Sequence, residues 1–289
     1  MDTFLQQVMN GVVIGSTYAV VAVGFSLVFT VLRVVNFAHP DIFMLGMFAG
    51  LWSALHVSDN LIFVLVAGAV GAGLSGVVLE RVVIRPLQGR DMLITLLATL
   101  GVSIILQNGM AIVAGPDPVP YPAIIPQTFI PLGPVSLTVR QLVNFVACAV
   151  LLMAASYYVR GTKYGRATRA VAELPEVAAA FGVDVSLISL VTVVLASMMA
   201  GVAGVSVGLL YGSAWAFVGL LYGLKALIIL LVAGNRYFEG VVLVAIVLGV
   251  IEALITGYVS SGMRDVVTFL LLIGVLCFRP NGIFGSYKT

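Results

Sequence analysis

Two ionisable residues, Lys225 and Glu252, lie within long apolar stretches of the sequence. A charged side chain at the centre of a bilayer costs at least roughly 2.5–3.5 kcal/mol, so each requires an opposite charge or a water-filled cavity. We therefore predict that Lys225 and Glu252 form an ion pair that ties the last helices together near the outer face. Direct contact with a solute is the alternative role for the same two groups.

A second polar stretch follows the first long apolar run, where Asn36 and His39 stand next to Pro40. Pro40 is predicted to interrupt a helix, and irregular polar backbone at membrane depth is tolerated only where it is buried in protein or faces water. Asn36 and His39 are thus candidates for a pathway or gate, with a hydrogen-bonded cytosolic turn as the alternative. Four more side chains could bind the ends of a zwitterion or merely satisfy nearby backbone: Gln107, Asn108, Tyr211 and Tyr222.

The motifs of nucleotide and metal chemistry are absent from the sequence. It contains no G-x-x-x-x-G-K-[ST] phosphate loop, no G-x-S-x-G elbow and no H-E-x-x-H pair. Two histidines are too few for a histidine-rich metal site, and Cys148 and Cys277 lie in apolar runs typical of small buried hydrophobes. The sequence therefore predicts a chain that is not an enzyme, binds no cofactor itself and draws any energy from outside.

The composition predicts that most of the chain lies in a bilayer. Of the 289 residues, 61% are hydrophobic and 9% are charged, whereas soluble domains carry about a quarter charged residues. The apolar runs do not alternate as barrel strands do, so the spans are predicted to be helices. We predict an all-α, polytopic bundle of eight or nine membrane segments in a single domain, residues 1–289, with spans near 10–32, 42–56, 61–79, 93–114, 141–159, 186–210, 223–234, 240–257 and 265–278.

The distribution of basic residues predicts the orientation of the bundle. With nine crossings, eleven of the fourteen Lys and Arg residues fall on one side, Arg33, Arg236 and Lys288 among them, whereas Arg140 and Arg264 fall on the other. Because basic loops remain in the cytosol, the N-terminus is expected outside and the C-terminus inside.

The longest predicted outer connection, residues 115–139, carries seven prolines. Proline at that density favours extended, semi-rigid chain. This connection is predicted to be a stiff spacer or, alternatively, a surface that touches an external solute receptor. Small residues recur at four-residue spacing in Gly68–Ala72–Gly76 and Ala200–Gly204–Gly208, which predicts close helix packing.

The cytosolic connection, residues 160–184, opens with four basic residues and then carries an amphipathic pattern. A helix is predicted over 174–181, because apolar residues recur at helical spacing at Leu174, Val177, Ala178 and Phe181. Glu173 and Glu176 suit its first turn, and Gly182 suits its C-terminal stop. Two turns are too few for independent stability, so this helix requires a surface against which to lie.

This segment resembles a known family. Glu173, Ala178 and Gly182 within A-E-L-P-E-V-A-A-A-F-G-V look like the coupling-helix motif of ABC importer permeases, and the preceding Y-G-R-A-T-R-A is similar to the version in branched-chain amino acid permeases. Further matches span the chain, among them G-S-T-Y-A-V-V-A-V-G-F at 15–25, V-V-N-F-A-H at 34–39, E-R-V-V-I-R-P-L at 80–87, T-L-G-V-S-I-I-L-Q-N at 99–108, G-L-K-A at 223–226, I-E-A-L at 251–254 and F-R-P-N-G-I-F-G at 278–285. They resemble the LivH-type subunit more than its LivM-type partner. Pro40 departs from the pattern, which usually carries glycine there.

The resemblance implies a channel half in the bacterial cytoplasmic (inner) membrane. It implies pairing with a second, homologous permease, with two cytosolic ATPase subunits that bind ATP and Mg, and with an extracytoplasmic solute-binding protein. The expected cargo is branched-chain or other hydrophobic amino acids, moved by alternating access, and the residues expected to contact the ATPase are Glu173, Leu174, Glu176, Val177, Ala178, Phe181 and Gly182. Two alternatives remain open: urea, short amides or small organic and aromatic acids as cargo, and an ATP-independent secondary transporter or channel.

Overall fold

The computed structural model describes residues 2–133, 135–234, 238–279 and 282–284, and its regular structure is almost entirely helical. The helices are α1 Asp2–Leu32, α2 His39–His56, α3 Leu61–Leu79, α4 Met92–Ala114, α5 Val139–Gly161, α6 Lys163–Glu173, α7 Pro175–Ala180, α8 Val185–Tyr211, α9 Val218–Ala233, α10 Phe238–Tyr258 and α11 Met263–Phe278. A π-helical turn, Glu80–Ile84, extends α3 into a last turn, Arg85–Leu87. The predicted all-α class is confirmed, while Arg236 and Lys288 lie outside the described residues.

Within the described residues, six helices are long and apolar enough to cross a membrane: Thr3–Leu32, Leu61–Leu87, Met92–Ala114, Val139–Gly161, Val185–Tyr211 and Phe238–Tyr258. The other three predicted spans coincide with α2, α9 and α11, which have 18, 16 and 16 residues. Because a helix rises about 1.5 Å per residue, 16 residues cover about 24 Å, less than the roughly 30 Å of hydrocarbon. α9 and α11 are therefore partial crossings or depend on their neighbours, whereas the 18 residues of α2 cover about 27 Å.

Helix packing relies on direct backbone contact between small residues. A Cβ added at Gly46 of α2 would lie 2.3 Å from the Cα of Gly201 in α8, and one at Gly11 of α1 would lie 2.4 Å from the Cα of Val250 in α10. No side chain fits at those distances, so glycine is required at both crossings. The predicted close approach of small-residue rows is seen between α3 and α8, where Gly76 faces Ser197.

The proline-rich outer connection contains strands that the sequence did not predict. β1 (Val119–Pro120) pairs with β4 (Ser213–Ala214), and β2 (Phe129–Leu132) forms an antiparallel hairpin with β3 (Val135–Thr138). These are two-stranded ribbons, so a proline can sit on an edge where its missing N–H is not needed. The Gln6 side chain of α1 bonds the backbone N–H and C=O of Ser136, which fixes the hairpin beside the start of α1. Pro134 lies outside the described residues.

Candidate functional site: a buried helix crossing

Two helices, α2 and α9, begin inside the bundle. The first residue of α2, His39, lies beside Gly24 of α1, because a Cβ added at Gly24 would lie 3.1 Å from the His39 ring. Gly24 is eight residues before the end of α1, so α2 starts about 12 Å from that end. The first turn of α9 packs on the same place, because Cβ atoms at Gly219 and Gly223 would contact Pro40 at 2.6 and 2.2 Å. We call this contact between the two first turns the helix crossing.

From the crossing, α2 and α9 run to opposite faces. α2 heads for the face where α1 begins, because Tyr121 of the outer connection lies against Met47 in α2 while Gln6 of α1 holds the same connection. α9 ends four residues before α10, and α10 packs antiparallel to α1 through Val250 against Gly11. The end of α9 therefore lies on the face where α1 ends. Helices that begin inside the membrane commonly build substrate sites in transporters.

Pro40 does not interrupt a helix, and the sequence-based prediction of a proline break is wrong. α1 already ends at Leu32, and Pro40 occupies the first turn of α2. Proline is favoured there, because a first-turn N–H has no partner within the helix. The turn between the two helices begins at Arg33, which has a φ of +55°.

Polar side chains are buried at the crossing, and several of their atoms have no partner. Asn36, His39 and Asp41 are at most 3% exposed. Asp41 Oδ1 accepts a 2.9 Å hydrogen bond from Gln107 Nε2 of α4. Within the described residues, Asn36 Nδ2, both ring nitrogens of His39 and Asp41 Oδ2 form no hydrogen bond. Orphaned polar atoms at membrane depth are unfavourable, which points to a ligand, water or a second conformation as their partner.

Aromatic rings connect the crossing to a charged cluster. The Tyr222 ring of α9 stacks on Phe43 of α2 at 4.8 Å and meets Tyr18 of α1 edge-on at 5.6 Å. The Tyr18 hydroxyl donates a 2.8 Å hydrogen bond to Glu252 and accepts a 3.0 Å bond from Lys225. Tyr222, named from the sequence as a possible pathway residue, thus lies between the two polar regions.

The structure brings Lys225 and Glu252 together. Lys225 Nζ lies 2.8 Å from Glu252 Oε1, and the two side chains are 7% and 1% exposed. Thr268 donates a 2.8 Å hydrogen bond to Glu252, and Asp265 lies 3.2 Å from Lys225. Arg264 completes the cluster at 3.7 Å from Glu252. Lys225 and Arg264 balance Glu252 and Asp265, so this charge cluster is formally neutral. Burial of paired, hydrogen-bonded charges is the arrangement that membrane interiors tolerate.

Cavities open on both sides of the crossing. A cavity of about 400 Å³, called the outer cavity because the predicted orientation puts it on the outer side, is lined by the start of α1 (Gln7, Asn10) together with Tyr211, Glu252 and Arg264. An inner cavity of about 310 Å³ is lined by the residues that follow α1, including Arg33 and Asn36. The predicted pathway residues are therefore divided between levels: Tyr211 faces the outer cavity and Asn36 the inner one. Asn108 joins neither, because it is exposed and donates to Ile104 of its own helix.

The cytosolic connection forms two helices where the sequence predicted one over 174–181. α6 covers Lys163–Glu173 and α7 covers Pro175–Ala180, and Leu174 between them has φ −145° and ψ 86°. The residue before a proline is disfavoured in helical geometry, which explains the break at Leu174. Gly182 ends the segment with φ +84°.

Only one residue of the predicted apolar stripe is buried in the chain. Ala178 packs against Val171 and Ile188. Leu174, Val177 and Phe181 are 60%, 46% and 84% exposed. Glu173 and Glu176 have no ion pair among the described residues. The segment therefore presents an uncovered apolar surface, which we call the coupling surface (Leu174, Val177, Phe181).

Arg33 ties this segment to the core, a role that sequence reasoning missed. Its guanidinium donates hydrogen bonds of 3.0 and 2.6 Å to the carbonyl oxygens of Ala172 and Glu173, which end α6. The last carbonyls of a helix lack internal partners, so Arg33 caps α6 from the end of α1. These two bonds link α6 directly to the turn that leads into the helix crossing.

Other participants also escaped the sequence analysis. Asp41, Arg264, Asp265, Tyr18 and Thr268 join polar groups only through tertiary contacts. Glu80, fully buried at the π-helical turn with neither carboxylate oxygen hydrogen-bonded within the described residues, gave no signal beyond one acidic residue at the end of an apolar run.

The comparisons with known proteins agree with this architecture. Residues 7–276 match the family model described as branched-chain amino acid transport system, permease component. The chain belongs to this family. It is 34% identical over 295 residues to the high-affinity branched-chain amino acid transport system permease protein LivH of Salmonella typhimurium and, equally, to that of Escherichia coli, covering 98% of this chain and 96% of each relative. It is 32% identical to BraD of Pseudomonas aeruginosa over the same shares of both chains. No solved structure matches.

Membership of the family confirms three predictions from the sequence. The resemblance to LivH-type permeases is correct, the chain is a multi-pass membrane protein, and it acts in transport rather than in covalent chemistry.

Proposed function

We propose that this chain is the transmembrane permease subunit of an ATP-driven ABC importer for branched-chain or other hydrophobic amino acids. The single observation that carries the coupling to ATP is the exposed coupling surface, held by Arg33 to the end of α1. An apolar surface on a short helix is the kind of element that docks in a groove on a partner protein. The relatives named LivH and BraD are branched-chain amino acid permeases, which supports the same cargo here.

The proposed assembly has five parts in addition to the bilayer. This chain pairs with a second, homologous permease, most simply as a heterodimer, above two cytosolic ATPase subunits that bind ATP and Mg. An extracytoplasmic solute-binding protein delivers cargo to the outer face. The chain spans the bacterial cytoplasmic membrane with eight or nine segments, its N-terminus outside and its C-terminus inside, as the distribution of basic residues favours.

The proposed mechanism is alternating access around the helix crossing. Closure of the ATPase pair pulls the coupling surface, Arg33 passes the motion to the turn before α2, and α2 shifts against α9. The outer and inner cavities then open in turn, while the apolar contact between the two first turns separates them. Rigid-body movement around a central site is the usual form of this cycle.

Reconstitution of the purified chain with its partner subunits tests the proposal. Phe181→Glu is expected to abolish ATP-dependent leucine uptake into liposomes and co-purification of the ATPases, because a charge replaces an apolar docking group. Phe129→Glu in the outer hairpin, 71% exposed, is the matched control and should retain the ATPases. Uptake at full rate by the chain alone, without any ATPase, would instead identify a secondary transporter or channel. Mass spectrometry of solute bound to the co-purified receptor distinguishes amino acids from urea, amides or organic acids.

A further inference from the structure

A third cavity lies at the helix crossing itself, between α2, α4 and α9. Its volume is about 230 Å³, below the roughly 300–1,000 Å³ of sites for drug-sized ligands, so it suits one small metabolite. Among the described residues, three side chains offer it polar groups: Asp41, Ser103 and Gln107. The remaining walls are apolar and are formed by Phe25, Phe37, Pro40, Leu100, Leu220, Gly223, Leu224 and Leu227. The cavity is therefore amphipathic, with one polar end.

The polar end of this cavity is an incompletely satisfied carboxylate. Asp41 is 0% exposed, and Gln107 Nε2 occupies only Oδ1, at 2.9 Å. Oδ2 has no hydrogen-bond partner, and no Lys, Arg or His in the described part of the chain forms an ion pair with Asp41. An ionised carboxylate accepts hydrogen bonds and donates none. For the ionised form of Asp41 the missing partner is a donor, and a cationic donor forms the stronger bond.

Two helix amino ends favour the ionised form of Asp41. It lies in the first turn of α2, and a Cβ added at Gly219 in the first turn of α9 would lie 2.9 Å from its Oδ1. Neither helix has a side-chain cap at its start. The positive ends of two helix dipoles therefore converge on one carboxylate. These two helix ends stabilise the negative charge of Asp41 when a cation binds beside it.

We propose that this cavity binds the ammonium group of a hydrophobic α-amino acid, with Asp41 Oδ2 as its acceptor and the leucine and phenylalanine walls around its side chain. The inference rests on the proposed import function and locates the site at which its cargo binds inside the membrane. An ammonium group donates the hydrogen bond that Asp41 Oδ2 lacks, and an aliphatic side chain packs against the apolar walls of the cavity. A carboxylic acid without an amine adds a second negative charge and brings no cation to offset it beside Asp41, so it is rejected. Urea carries no apolar group to fill the walls. The site thus selects amine-bearing apolar solutes inside the membrane, after the external receptor has made its own selection.

A thiol-protection experiment on the assembled transporter tests this site. Ser103→Cys places a thiol in the cavity wall, in a background carrying Cys148→Ala and Cys277→Ser. In detergent, leucine is expected to slow modification by a small methanethiosulfonate reagent at least fivefold. The hydroxy acid of the same shape, 4-methyl-2-hydroxypentanoate, is expected to give no protection. With Asp41→Asn added, leucine should lose its protective effect as well.

Transport supplies the second readout. Asp41→Asn is expected to lower ATP-dependent leucine uptake at least tenfold, whereas Asp59→Asn in the exposed connection between α2 and α3 should leave it within twofold of the unchanged protein. If Asp41→Asn prevents folding, the site is tested by comparing how well leucine and the hydroxy acid protect the thiol in the protein that retains Asp41. Equal protection by both compounds, no protection by leucine, or normal uptake by folded Asp41→Asn overturns the ammonium site. The importer proposal survives each of those results, because it fails only if uptake by the unsubstituted transporter does not depend on the ATPases.

Discussion

The charge cluster around Lys225 and Glu252 gives the sharpest prediction about stability. Lys225 Nζ contacts both Glu252, at 2.8 Å, and Asp265, at 3.2 Å. Lys225→Met removes the cation and leaves two carboxylates with Arg264 as their nearest counter-charge. Removing one partner of a buried pair leaves an uncompensated charge and costs about 3–5 kcal/mol. We expect a loss in that range for Lys225→Met.

Glu252→Gln should cost less, about 1–3 kcal/mol, for a structural reason. Tyr18 donates to Oε2 of Glu252 and Thr268 donates to Oε1, so the amide oxygen keeps one of these two bonds. Lys225 retains Asp265, whose side chain is 50% exposed. The double substitution should cost less than the sum of the two, because Lys225→Met no longer leaves Glu252 unpaired. A double-mutant cycle on reversible unfolding in mild detergent measures the difference, with an expected coupling of at least about 1.5 kcal/mol.

The exposed pair Arg160–Glu239 is the matched control for this cycle. Both of its side chains are 59% exposed. Exposed pairs contribute at most about 1 kcal/mol, so Arg160→Met with Glu239→Gln should show a coupling below that value. A coupling near zero at Lys225 and Glu252, or one no larger than in the control, would refute the argument that burial makes the cluster important. Loss of transport with undiminished stability would point instead to direct contact with the solute.

Three further predictions concern other parts of the bundle. Gly46→Val should destabilise the fold by more than about 2 kcal/mol, because its Cβ would lie 2.3 Å from the Cα of Gly201. Gly101→Val, on the open face of α4, should be tolerated. Thermal unfolding of the two variants measures the difference. Arg33→Ala and Arg33→Gly should both reduce leucine uptake per ATP hydrolysed by the assembled transporter, since both lose the bonds to α6. The glycine variant should be more stable than the alanine variant by about 1 kcal/mol, because glycine adopts a φ of +55° without strain. If both variants import as much leucine per ATP as the unchanged protein, the bonds from Arg33 to α6 do not couple transport to ATP hydrolysis. With the native cysteines replaced, Asp117→Cys should react with an impermeant thiol reagent added outside cells and Lys163→Cys should not; the reverse pattern would invert the proposed orientation.

The membrane helices could be predicted from sequence because hydropathy reports them directly. Each predicted span coincides with one helix, and the largest shift at an end is at α1, which begins at Asp2 rather than near residue 10. The ion pair between Lys225 and Glu252 could be predicted by a similar argument, since charged residues in apolar sequence require partners. These inferences depend on residue type and local sequence alone.

The helix break at Leu174 and the outer strands were within reach of the sequence but were missed. Leu174 precedes Pro175, a local restriction that the apolar spacing of 174–181 obscured. The hairpin of β2 and β3 turns at Gly133, where φ is +65°, within a segment whose prolines indicated only extended chain. In both places a single strong pattern concealed a weaker local one.

By itself, the sequence determined that this protein lies in a membrane and which apolar segments become its long helices. Only the tertiary structure decided that α2 and α9 begin inside the bundle and meet there, and that Asp41, Gln107 and Gly219 gather at their contact. The physical reason is that hydropathy measures how favourably a segment leaves water. The depth at which a helix begins, and which helix ends meet, depend on which backbones approach one another. Those contacts join residues up to about 240 positions apart in the chain.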